Sequence, residues 1–100
     1  MMLPLHVRMA RAALGWTSQE LADKAKINLN TVSRLEAGRE VKSGTLAKIE
    51  AAFAAAGIVL IHEDVQGGVG VRLTRELTRR LYRPPSAKKG ISVKRSQKTK

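Results

Sequence analysis

Thr17-Ser18-Gln19-Glu20 is a capping box, and eleven residues after Thr17 a second helix-starting residue, Asn28, appears. In the box the Thr17 hydroxyl accepts from the Glu20 amide, and the Glu20 carboxylate reaches back to the Thr17 amide. One helix over about 18–25 and another over about 29–37 follow, with Lys26-Ile27 as the break and Asn28 as the second N-cap. The break at 26–28 is the right length for a three- to four-residue turn between two helices. Leu21 and Ala25 point inward on the first of them, and Val32 and Leu35 on the second. Ala22 faces the following helix, where the backbones approach closely and a larger side chain would clash.

The remaining elements are arranged around this unit. A helix over 4–15 precedes it, with Pro4 in the first turn, a stripe of Val7, Ala10 and Leu14, and Gly15 as C-terminal cap. Trp16 is expected to plug the core. Gly38 ends the helix at 29–37, and 39–43 form a loop with Ser43 as the cap of a helix over 44–55. Leu46, Ile49 and Phe53 point inward from that helix, and Gly57 stops it. The apolar period then changes from about 3.6 to about 2. Ile58-Val59-Leu60-Ile61 and Val69–Leu73 read as two strands around a loop containing Gly67-Gly68. A lone hairpin is marginal in water, so Ile58, Leu60 and Val71 either extend the core or pair across a two-fold axis. A short amphipathic helix over 74–83, through Leu73, Leu77 and Leu81, ends at Pro84-Pro85. The expected organisation is a mainly α, four- to five-helix body over 1–56, a hairpin extension over 57–73, a short helix over 74–83 and a disordered tail over 84–100.

Charge divides the same way. The net charge of +11 is concentrated at the C-terminal end: residues 1–73 hold nine Lys/Arg against seven Asp/Glu, whereas 74–100 hold ten against one. A cationic tail suits a polyanion, and nucleic acid is the usual one. Cysteine is absent, which excludes disulfides, thiolate metal sites and cysteine nucleophiles. No apolar run approaches the ~18 residues of a membrane span. The amino end lacks the apolar core of a secretory signal, so a cytoplasmic protein is expected, associated with the nucleoid when bound to DNA.

Between its apolar positions the helix at 29–37 presents Asn30, Ser33 and Arg34, side-chain types that bond base edges or phosphates. At this point the stretch RAALGWTSQELADKAKINLNTVSRLEAGRE resembles the phage-repressor (Cro/CI-type) helix-turn-helix family. The resemblance rests on Arg11, on T-x-x-E-L-A and on T-V-S-R-L-E-x-G-R, and covers about residues 4–73.

That resemblance implies a lambda-repressor-like bundle with the helix at 29–37 as recognition helix in the major groove. It implies base reading by Asn30, Ser33 and Arg34, with Leu29 either on a thymine methyl or stapling its own first turn. Phosphate contacts fall to Ser18, Lys26, Thr31, Arg39, Lys42 and the amides of Gly44 and Thr45 at a helix N-terminus. Arg11 and Glu36 occupy the positions of a structural ion pair. The family's turn usually carries Gly where this chain has Lys26, a substitution costing about 1 kcal/mol in a left-handed backbone.

No metal, cofactor or catalytic site is expected. His6 and His62 are far apart in sequence, Glu63 and Asp64 are solvated carboxylates in a turn, and GGVG lacks the context of a phosphate-cradling loop. The leading expectation is a sequence-specific regulator of double-stranded DNA, a repressor acting as a homodimer on a palindrome. The alternative is the antitoxin of a toxin–antitoxin pair, whose tail or 74–83 segment binds a toxin partner. A weaker third reading is general nucleic-acid coating by the tail.

Overall fold

Both start signals operate in the computed structural model, which describes residues 2–82. The Thr17 hydroxyl accepts from the Glu20 amide at 3.0 Å, and the Glu20 carboxylate accepts from the Thr17 amide at 2.8 Å. They open α2 (Ser18–Ala25), and Asn28 opens α3 (Leu29–Glu36) by accepting from the Asn30 amide at 2.8 Å. The turn between them is closed by Lys26 at φ 60°, ψ 49°, and the Ile27 amide returns to the Ala22 carbonyl at 2.9 Å. Among the described residues Lys26 is the one non-glycine with positive φ, so the fold holds a side chain where glycine is preferred.

Helix α1 (Pro4–Leu14) ends one residue before Gly15, which takes the left-handed cap at φ 70°. Helix α3 stops at Glu36, with Ala37 as cap and Gly38 left-handed beyond it. Ser43 is not a cap: α4 (Ser43–Ala56) begins on it, and Lys42 is the N-cap without a side-chain hydrogen bond. Strand β1 (Ile58–Ile61) pairs antiparallel with β2 (Gly70–Leu73) in the register Ile58–Leu73 to Ile61–Gly70, so Val69 falls outside the ladder. Helix α5 (Arg75–Leu81) starts one residue later than expected because Thr74 caps it, its hydroxyl accepting from the Leu77 amide, and it ends at Leu81, where Tyr82 turns extended. Leu77 is buried, but Leu81 is exposed and leaves the packed face. The expected tail over 84–100, and Arg83 before it, lie outside the described residues.

One core joins all of these elements. Val7 and Ala10 of α1, Leu21 and Ala22 of α2, Val32 and Leu35 of α3 and Ile49 and Phe53 of α4 are buried together. Each large member contributes about 1.5–3 kcal/mol on leaving water. Ile58 and Leu77 belong to the same cluster, and Leu60 and Val71 pack against it, so the inner face of the hairpin extends the core. Trp16 does not plug this core. It is half-buried at the rim, stacked on Phe53 at 6.0 Å, with the Lys24 ammonium over its ring.

A buried histidine fastens the hairpin to α1. The Leu3 amide donates to His6 Nδ1 at 3.0 Å, which makes Nδ1 the acceptor and leaves Nε2–H to donate to the Ile61 carbonyl at 2.8 Å. His62, distant in sequence, meets this ring edge to face at 5.3 Å. Both His6 nitrogens are therefore engaged with the protein's own backbone.

Candidate nucleic-acid interface

Helix α3 is held at both ends and along one side. Asn28 satisfies its first turn, and Val32 and Leu35 bury its inner side. At its far end Arg11 of α1 grips the Glu36 carboxylate through Nε–Oε2 at 2.6 Å and Nη2–Oε1 at 3.1 Å. Arg11 Nη1 also donates to the Trp16 carbonyl at 3.0 Å. Arg8, one turn earlier on α1, donates to the Glu36 carbonyl at 2.7 Å. Arg8 was missed in the sequence, although its three-residue spacing from Arg11 places both on one helix face.

With one side fixed, the helical period turns Asn30, Ser33, Arg34 and Ala37 to solvent as one face. Leu29 stands at the start of α3 and is 40% exposed. A helix with an apolar inner side and a polar, exposed outer side is a rigid rod with its donors and acceptors presented. That is the shape needed to enter a groove about as wide as a helix and bond to base edges.

Beside this face lies an open groove of about 950 Å³. The structure brings Thr31, Arg34, Arg39, Lys42 and Thr45 to its wall, over apolar residues that include Leu35 and Leu46. Arg34 donates from Nη2 to the Glu40 carbonyl at 3.1 Å, which leans the guanidinium towards the loop. Its remaining donors have no protein partner among the described residues. None of Arg34, Arg39 and Lys42 forms an ion pair there, so their charge faces solvent against the single carboxylate of Glu40.

The N-terminus of α4 closes one side of the groove, and its geometry corrects one expectation. The Thr45 amide already donates to the Lys42 carbonyl at 3.0 Å, so it is not open to a phosphate. The Gly44 amide has no partner among the described residues and remains open. Ser18 and Lys26 sit at opposite ends of α2 and do not line the groove. Asn30 and Ser33 lie on the outer face of α3 rather than in the groove wall.

Among the described residues no three His, Cys, Asp or Glu side chains gather closely enough to hold a metal ion. No helix among them is long and apolar enough to cross a membrane.

The model of the helix-turn-helix family matches residues 7–55, from the first turn of α1 to the end of α4. That span includes α2, the Lys26 turn, α3, the loop and the start of α4. No curated protein matches the chain.

Proposed function

We propose that the chain, whose residues 7–55 match the helix-turn-helix family model, is a Cro/CI-type DNA-binding transcription regulator that reads a palindromic operator as a homodimer and represses transcription there. The observation that carries the reading is the outer face of α3. Asn30, Ser33 and Arg34 are exposed together on a helix whose opposite side is fixed by Val32, Leu35 and the Arg11–Glu36 pair.

The division of roles follows from position. Arg34 is the principal base reader, because a guanidinium bonds guanine O6 and N7 together. Asn30 and Ser33 flank it, and Leu29 offers an apolar edge to a thymine methyl. Arg39, Lys42 and Thr31 in the groove wall, with the open Gly44 amide at the start of α4, hold the phosphate backbone. Ser18 and Lys26 contact phosphates from the two ends of α2. Phosphate contacts set the register of the helix and base contacts set its preference. The chain is read as a non-catalytic, cytoplasmic DNA-binding protein.

Selection of bound DNA from a pool of random duplexes tests this directly. Enrichment of a palindrome, with half-sites one helical turn apart, is the expected result. A pool that stays random after repeated rounds would remove sequence-specific reading from the proposal.

A further inference from the structure

The outer face of the hairpin is apolar at its centre and oppositely charged at its two ends. Ile58 and Leu60 turn inward, so the alternation of an extended chain turns Val59 and Ile61 outward, at 48% and 42% exposure. The alternation continues past the strand. His62 sets its ring against buried His6, on the inner side, which returns exposed Glu63 to the outer side.

On β2, Arg72 stands opposite Val59 and Gly70 opposite Ile61. Having no side chain, Gly70 leaves room for Ile61 to lean over it. The Ile61 δ carbon lies 3.9 Å from where a β carbon on Gly70 would be. From base to tip the face therefore runs Arg72 beside Val59, then Ile61, then Glu63. Glu63 is four residues from Val59, roughly 13 Å along extended chain, and no ion pair joins it to Arg72 among the described residues. Arg72 has no ion-pair partner among the described residues.

This pattern is complementary to itself. A two-fold axis beside Ile61 sets Ile61 against Ile61, brings each Val59 to the edge of the apolar centre, and places Arg72 of one copy against Glu63 of the other at both ends. We propose that the outer face of the hairpin is the contact between two copies of this chain, with Val59 and Ile61 at its centre and Arg72–Glu63 ion pairs at its rim. The inference rests on the homodimer proposed above and names its surface. The other apolar hairpin residues are already committed: Ile58 is buried, and Leu60 and Val71 pack on the core. The contact is small and belongs to the weak, transient class.

Sedimentation equilibrium of the full chain across a wide concentration series tests the surface. The wild type is expected to pass from monomer to dimer. Val59→Asp with Ile61→Asp should hold it monomeric, while thermal melts confirm that it is folded. Arg72→Glu and Glu63→Arg should each weaken association about tenfold, because like charges then oppose each other at the rim. Combining the two reversals should restore association. A wild type that stays monomeric throughout overturns the proposal, as does a dimer indifferent to Val59→Asp with Ile61→Asp. Reversals that fail to rescue each other overturn the two-fold register.

A parallel titration of DNA selected from random duplexes, cut to a single half-site, separates the two ideas. Selective half-site binding by a chain that never dimerises removes the interface and leaves the DNA reading. Dimerisation as described, with no selective binding, does the opposite.

Discussion

Arg11 and Glu36 lie side by side in a two-point clasp, with Nε on Oε2 at 2.6 Å and Nη2 on Oε1 at 3.1 Å. The side chains are 22% and 15% exposed, so water screens the pair only in part. Removing either partner leaves a partly buried charge alone. Each single alanine variant should lose about 1–3 kcal/mol, below the full cost of breaking a buried pair. The double variant should lose less than the two losses summed, by about 0.5–3 kcal/mol of coupling. Thermal and urea unfolding of the four proteins measures it, and strict additivity would show that the clasp contributes nothing as a pair.

Arg34→Ala should leave the fold unchanged, since the side chain is exposed and its one protein bond is to the Glu40 carbonyl. It should weaken binding to the selected operator by about 1–3 kcal/mol and relax the preference at one base pair. Anisotropy titrations against operators varied at each position read both effects. An unchanged base preference would exclude Arg34 as a reader.

At Lys26 the backbone is left-handed, at φ 60°. Lys26→Gly removes that strain, and part of the gain is offset by the freer unfolded chain. A net gain of about 0.5–1 kcal/mol is expected, which raises the melting temperature by about 2–8 °C in a domain of this size. A lower melting temperature would mean that the lysine stem stabilises the turn by packing.

Gly57 is the opposite case. At φ 99° its added β carbon would come within 2.9 Å of both Leu77 Cβ and Thr74 Oγ1. Gly57→Ala should therefore cost about 1–3 kcal/mol in backbone strain, with the collision against α5 adding to it. The loss is expected in the protection of α5 amides from hydrogen exchange as well as in global stability. Wild-type protection there would show that α5 moves aside freely.

Truncation after Arg83 removes Lys88, Lys89, Lys94, Arg95, Lys98 and Lys100. A basic segment beside a duplex releases counterions whatever the base sequence, so the slope of log affinity against log salt should flatten. The preferred operator should not change, because the residues proposed to read bases remain. A salt titration on an operator and on a random duplex distinguishes the outcomes. An unchanged slope would assign the tail's charge to a partner other than DNA.

The parts legible in sequence are those decided within a few residues. Thr17 and Glu20 satisfy each other across one turn, and Asn28 accepts from the Asn30 amide two residues on, so the starts of α2 and α3 are written locally. The exposure of Asn30, Ser33 and Arg34 follows from the helical period once Val32 and Leu35 are placed inside. What sequence could not show depends on distant partners. Ser43 looks like a cap by residue type, yet its backbone is already helical and the extended Lys42 takes that place. His6 looks incidental until the hairpin docks and presents the Ile61 carbonyl from 55 residues away. Trp16 has the bulk of a core residue, but Phe53 already fills the interior and leaves it the rim.

The burial of Met2 has a practical side. Met2 is 3% exposed, the Leu3 amide is held by His6, and both residues line the groove that carries Arg34, Arg39 and Lys42. A tag or fused domain added ahead of Met2 would start beside those cations, where, on the proposed reading, it would compete with DNA for room. Its bulk would hinder access even if the fold survived intact.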